Sequence, residues 1–318
     1  MISERVYSAD YTNSMAALTM TTLTHSIALP SDFQIAEFLT FHQRDSQQLA
    51  ERVTYNTLEK GLIWKNLPAC LTIRFTPEHA HAQLQLETNQ PTTAQQLKHW
   101  SVWLEYFLGL KQPTADFFLQ HHNHPELGAL IRQHPGLRVA QTSSPFEAIS
   151  WAIIGQQISV AAALNVRRRF IELTGEQHPS GLWCYPDAQR VAQVSIEQLR
   201  SVGLSFNKAR AIAQISQSLS TQTLQFPEQV SADNMEQLRT ELLAITGVGP
   251  WTVNYTLMRG FAWLDGSLHG DAAVRRYLQI LLKQDALSAK QTEQWLEQFA
   301  PWRALVAAHL WHSQGFSG

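Results

Sequence analysis

The stretch LLAITGVGPWTVNYTLMRGFAWLDGSLHGDAAVRR, Leu242 to Arg276, decides how this 318-residue chain is read. Met235, Leu238, Leu242 and Ile245 repeat at helical spacing and predict a helix ending near Ile245. Thr246-Gly247-Val248-Gly249 follows at once, and Pro250 then opens a second helix where its missing N–H costs nothing. Glycines suit so tight a connection, because the backbone must take positive φ and pack closely. The turn leaves unpaired N–H groups at a helix start, a site suited to phosphate. Such a site senses backbone geometry rather than base sequence.

An isolated G-x-G of this kind is commonly an ordinary αα-hairpin. A dinucleotide fingerprint fits worse, since a helix precedes the glycines where a strand is required and Thr252 stands where the third glycine belongs. Downstream, Asp271 lies just ahead of Val274, Tyr277, Leu278 and Leu281, another helical stripe, in an N-cap position. A negative charge there complements the helix N-terminus. Beside a groove, it would also stabilise a developing sugar cation or orient a water. Position alone leaves both readings open.

Outward from this stretch, the chain from about residue 110 reads as many short helices. Pro145 opens an apolar helix ending near Gly155, Gln156-Gln157-Ile158 is a polar break, and Ser159 is an N-cap before Val160. Ser195 and Gln198 form a capping-box pattern, and Ile212, Ile215 and Leu219 mark a further helix. Before residue 110, alternation at Val53/Tyr55/Thr57, Leu71/Ile73/Phe75 and Ala82/Leu84/Leu86 predicts strands. Ile35, Phe38 and Leu39, then Leu97, Val102 and Tyr106, predict two helices. The expected organisation is a flexible tail over 1–22, a small α+β domain with an antiparallel sheet over 23–112, and a helical domain over 113–318, mainly α as a whole.

Composition excludes several classes. Apolar residues make up 44 %, enough for a core. No apolar run reaches bilayer length and Met1–Thr24 lacks a signal-peptide pattern, so a soluble cytoplasmic protein is expected. Cys70 and Cys184 are too few for a four-cysteine metal or cluster site and are expected as buried free thiols. The net charge of −2 gives DNA no overall attraction, so any such binding needs a local basic face or backbone groups. Arg167-Arg168-Arg169 is a candidate clamp, though such a cluster is more often a solvated helix face. His121, His122 and His124 read as an exposed turn rather than a metal site.

Taken together, G-V-G-P-W-T and the later D-A-A-V-R-R resemble the helix-hairpin-helix DNA glycosylases (HhH-GPD), most closely the AlkA-type 3-methyladenine enzymes. Phe146–Ser159, Val202–Arg210 and Pro301–Trp311 are similar to further segments of that family. The resemblance implies a monofunctional glycosylase that excises alkylated bases from duplex DNA in base excision repair. It implies Asp271 as catalytic carboxylate, and Trp251, Tyr255 and Trp311 as walls of a base pocket. Thr246, Gly247, Val248, Gly249 and Thr252 would be the DNA-binding hairpin, with a sodium or potassium ion on its backbone carbonyls and no other cofactor. Gln157 and Ile158 would fill the gap left by the everted base. Relatives that also nick the strand carry a lysine where Trp251 stands, and tryptophan cannot form a Schiff base. A monomer acting at the nucleoid is expected. Two alternatives remain: a non-catalytic DNA-binding module, with Asp271 only capping a helix, and a glycosylase for oxidised bases.

Overall fold

Alternation of apolar and polar residues before residue 90 builds a five-stranded antiparallel sheet in this computed structural model, which describes residues 20–87 and 93–312. Its strands are β1 (Met20–Ala28), β2 (Glu51–Thr54), β3 (Thr57–Trp64), β4 (Leu67–Phe75) and β5 (His79–Glu87), ordered β1-β5-β4-β3-β2. The register sets Leu71 opposite Leu84 and Ile73 opposite Ala82, so the pleat sends both pairs to one face. Helices α1 (Ile35–His42) and α2 (Ala94–Phe107) close a core of Phe38, Leu58, Leu71, Ile73, Leu84, Trp100 and Phe107.

Three expectations are corrected here. The assigned tail, 1–22, runs too far: β1 begins at Met20, and residues 1–19 lie outside the described ones. Val53, Tyr55 and Thr57 are not one strand. The chain reverses at Tyr55-Asn56, leaving Tyr55 99 % exposed between β2 and β3. Alternation does not register a change of direction, whereas Asn56, whose side chain donates to the Phe75 carbonyl, was the available turn signal. On α2 the buried face is Trp100, Leu104 and Phe107, while Leu97 and Val102 point outward.

Beyond α2 come α3 (Thr114–His121), α4 (Gly128–Gln133), α5 (Pro145–Gly155) and α6 (Val160–Thr174). A two-stranded ribbon, β6 (Glu176–Gln177) and β7 (Trp183–Cys184), interrupts the helices where no strand was expected. Then follow α7 (Ala188–Val191), α8 (Ile196–Ser201), α9 (Phe206–Ser220), α10 (Ala232–Leu243), α11 (Pro250–Phe261), α12 (Ala272–Leu282), α13 (Ala289–Glu297) and α14 (Arg303–His312). Caps explain many of these boundaries: Ser144, Ser159, Ser205 and Ser231 each accept an N–H of the following first turn. The Ser195/Gln198 capping box forms as expected. Buried Ile149, Ile153, Ile212, Leu238, Val253, Leu257, Leu278 and Leu305 make the second core, with α5 and α11 packed together at its centre.

Between the two cores runs a seam of buried charge. Lys60 on β3 donates to Glu51 on β2 (2.5 Å) and to Glu147 on α5 (2.9 Å). Arg167 on α6 bonds both carboxylates, at 2.7 and 3.2 Å. Burial alone would raise the Glu51 pKa, but Arg167 and Lys60 outweigh it and hold the group below the ordinary carboxylate range. Two charges of each sign balance, and the remaining cavity is about 30 Å³, the room of a single water. Both cysteines are buried free thiols, and burial pushes Cys184 up to about 11. Among the described residues, no helix is long and apolar enough to cross a membrane.

Candidate active site

Past Arg44 and Trp151, which border the seam as well, a groove of about 900 Å³ opens between the α5–α6 loop, the α10–α11 hairpin and the start of α12. Asp271 stands on its wall as the N-cap of α12, accepting the Val274 N–H at Oδ1 (2.9 Å). Two indoles also donate to it: Trp251 Nε1–H to Oδ2 at 2.9 Å and Trp311 Nε1–H to Oδ1 at 3.2 Å. Asp271 is thus a helix cap and at the same time part of the groove wall. Three neutral donors from α11, α12 and α14 fix the carboxylate plane, and among the described residues no cation pairs with it within 4.0 Å. Its charge is left to act on whatever enters the groove.

Aromatic rings gather around this carboxylate. Trp251 and Tyr255, one turn apart on α11, have centroids 5.3 Å apart, and Tyr255 lies 6.5 Å from Trp311. Trp151 on α5 donates Nε1–H to the Tyr255 hydroxyl at 3.1 Å, which sets the ring. The three expected pocket residues thus come together with a fourth that the sequence did not single out. Arg44, which follows α1, also lines the groove, its guanidinium 3.9 Å above Phe41 and 5.5 Å from the Trp151 ring. Arg259 is buried within cation–π distance of Tyr255 (5.8 Å) and Trp311 (5.7 Å), and burial lowers it to about 10. No local pattern marks Arg44, because it enters from a different core more than a hundred residues from α5.

The hairpin takes the expected shape with one refinement. Gly247 has φ +95°, which requires glycine, but Gly249 is extended at φ −105°. A Cβ at Gly249 would meet nothing within 4 Å. Its bareness serves approach from outside, since Gly249 N-caps α11 without any side-chain cap, leaving the first-turn N–H groups beside the groove. Thr246 and Gly247 are exposed, whereas Val248 is buried. Thr252, expected with the hairpin as a DNA contact, is only 2 % exposed, and its hydroxyl accepts from Gln156 Nε2 at 2.8 Å. It is an internal strut.

Gln156, in sequence part of a polar break, joins two sides of the groove, since Nε2 also donates to the Gly247 carbonyl at 3.0 Å. Lys208 on α9 secures the same loop through the carbonyls of Ile154 (3.0 Å) and Gln156 (2.7 Å). Above these ties, Gln157 at φ +57° and Ile158, 40 % exposed, stand on the rim. The arginine cluster does not form a clamp. Arg167 belongs to the buried seam and Arg168 pairs with Asp45, which leaves Arg169 outward. Nor are His121, His122 and His124 an exposed turn. They are half-buried, and they pack on Phe117, Phe118 and Phe299, respectively.

Comparison with known proteins bears on this geometry. Residues 150–301 match the HhH-GPD superfamily of base excision DNA repair proteins. The chain is 30 % identical over 193 residues to DNA-3-methyladenine glycosylase 2 of Escherichia coli, a match covering 60 % of this chain and 65 % of that protein. It is 23 % identical over 291 residues to a DNA-3-methyladenine glycosylase of Bacillus subtilis, covering 90 % and 95 %. Among solved structures it resembles a 3-methyladenine DNA glycosylase from Archaeoglobus fulgidus, with TM-score 0.76, 19 % identity, and coverage of 92 % and 99 %. The fold is also shared with an 8-oxoguanine glycosylase/lyase of Clostridium acetobutylicum, with TM-score 0.69, 13 % identity, and coverage of 94 % and 97 %.

Proposed function

We propose that the chain is a member of the HhH-GPD superfamily of base excision DNA repair proteins and a monofunctional DNA glycosylase for alkylated, 3-methyladenine-like bases in duplex DNA. The observation that carries this reading is the Asp271 carboxylate held by Trp251, Trp311 and the α12 N-terminus at the edge of an aromatic groove. A base everted from the duplex would enter between Trp251, Tyr255 and Trp311. Its C1′–N bond then breaks, the electron pair leaves with the base, and positive charge develops on the sugar. Asp271 stabilises that charge; water adds at C1′ and loses a proton, leaving an abasic sugar.

Substrate selection follows from the pocket. Electron-rich faces attract a cationic N-alkylated base by about 0.5–2 kcal/mol per contact. The guanidiniums of Arg44 and Arg259 oppose a cation, so ring contacts and the good leaving-group quality of the base, rather than net pocket charge, favour these lesions. The hairpin N–H groups would hold a phosphate, and Gln157 and Ile158 would fill the vacated stack. Backbone carbonyls of the hairpin suit sodium or potassium, since neutral oxygen donors select hard cations. The Gly247 carbonyl, although bonded to Gln156, keeps a second lone pair for one. A lysine for a Schiff base is missing at Trp251, which favours simple hydrolysis over strand nicking and over the oxidised-base reading.

Incubation with methylated duplex DNA tests this reading. Release of 3-methyladenine or 7-methylguanine is expected, with strands breaking only after alkali or amine treatment. Strand cleavage without that treatment, trapped by borohydride, would overturn the monofunctional assignment. DNA binding without any base release would leave only a docking module.

A further inference from the structure

Away from the groove, three potential metal ligands from distant segments converge where α1, the end of α4 and the end of α14 meet. Glu37 lies in the first turn of α1, His134 caps the C-terminus of α4, and His312 ends α14. One ligand atom from each lies within 4.8 Å of the other two. Glu37 Oε2 and His312 Nδ1 are 2.9 Å apart, and the two imidazole centroids are 4.1 Å apart at 74°.

We propose that Glu37, His134 and His312 bind a divalent transition-metal ion, with Zn²⁺ the best match. Two imidazole nitrogens and one carboxylate oxygen form a donor set that borderline Zn²⁺ takes, with the fourth tetrahedral position left to water. Zinc–nitrogen and zinc–oxygen bonds near 2 Å place tetrahedral ligands about 3.3 Å apart, so the Glu37–His312 pair at 2.9 Å and a His134 ligand atom within 4.8 Å of both need only small side-chain shifts to close on an ion. All three side chains are half-buried, so bulk water competes less than on an open surface.

The backbone carrying these ligands is already tied without an ion. Gln34 Nε2 donates to the Pro135 carbonyl at 3.2 Å, and Arg138 pairs with Asp32 at 3.1 Å, joining the two loops that present Glu37 and His134. His309, one turn earlier on α14, is lowered to about 3 by burial and so adds no positive charge against a cation. The site also has a consequence for the groove. His312 adjoins Trp311, so an ion there would pin the end of α14 and steady the indole that donates to Asp271.

The test uses the full chain freed of metal by a chelator and titrated with Zn²⁺, then with Co²⁺ as a spectroscopic probe. Saturation at one equivalent is expected, with the visible bands of four-coordinate Co²⁺ and a rise in Tm. Binding should weaken at least about tenfold in Glu37→Gln and in His134→Gln, as loss of a metal partner does, and remain unchanged in the control His122→Gln. The proposal is overturned if no ion is taken up at one equivalent. It is equally overturned if both site variants bind as the wild type does, for the trio is then only a Glu37–His312 ion pair. Base release is measured separately, so failure here leaves the glycosylase reading standing.

Discussion

The seam and the groove adjoin at Arg44 and Trp151, which border both, and use charge in opposite ways. In the seam, Glu51, Lys60, Glu147 and Arg167 pair with one another, and Ser143 donates to the remaining Glu147 oxygen, around a cavity scarcely larger than a water. In the groove, Asp271 receives only neutral N–H donors and faces about 900 Å³ of open space. Compensated charge fixes how two cores dock, whereas uncompensated charge remains available for chemistry. The contrast teaches that the most heavily ionised cluster of a protein can be spent on docking, while a single carboxylate is left facing open space.

Breaking the seam should have the largest effect. Arg167→Met leaves two buried carboxylates sharing a single lysine and is expected to cost about 3–5 kcal/mol of stability, read as a fall in denaturation midpoint. Base release per folded molecule should change far less than stability, because Arg167 does not itself line the groove. Equal stability in the variant would contradict the seam's role.

Acid should expose the same asymmetry next. Burial first, then Lys60, lowers His42 to about 3, and burial lowers His309 to a similar value. Below the unfolded histidine value near 6.5, the unfolded chain takes up protons that the folded chain refuses. Each group therefore removes about 1.4 kcal/mol of stability per pH unit as pH falls from about 6.5 towards 3. Glu51 and Glu147, both held below the ordinary carboxylate range, keep their contribution until lower pH and lose it as the pH falls through their folded values. Denaturant midpoints at pH 7, 6 and 5 should fall progressively, and a flat profile would refute the buried neutral histidines.

Smaller effects sharpen the groove side. Trp311→Phe keeps a ring but deletes one donor to Asp271, and base release in a single turnover should slow about tenfold. Gln156→Ala removes both ties between the loop and the hairpin. DNA affinity should weaken about fivefold, near 1 kcal/mol, measured by titration with a duplex carrying an abasic site.

Legibility in the sequence followed distance along the chain. The hairpin, Asp271 and the Trp251/Tyr255 pair occupy one stretch of about thirty residues, where turn chemistry, capping and helical spacing act locally. Trp311 was reached through resemblance rather than pattern. The seam left no sequence signal, since Glu51 and Arg167 are separated by 116 positions and each alone looks like a surface charge. Arg44 and Lys208 escaped notice for the same reason, as their partners are set by tertiary packing. The strand errors were local instead: threonines at Thr21, Thr22 and Thr24 carry β propensity without strong apolar contrast, and the Tyr55-Asn56 turn preserves alternation across a reversal.

Single-turnover base release by Asp271→Asn tests the central claim most directly. Asparagine caps a helix about as well as aspartate, so α12 should start normally and Tm should hardly move. Removing the charge alone should slow release about 10²–10³-fold with abasic-DNA affinity retained. Release at the wild-type rate by a folded, DNA-binding Asp271→Asn protein would contradict it.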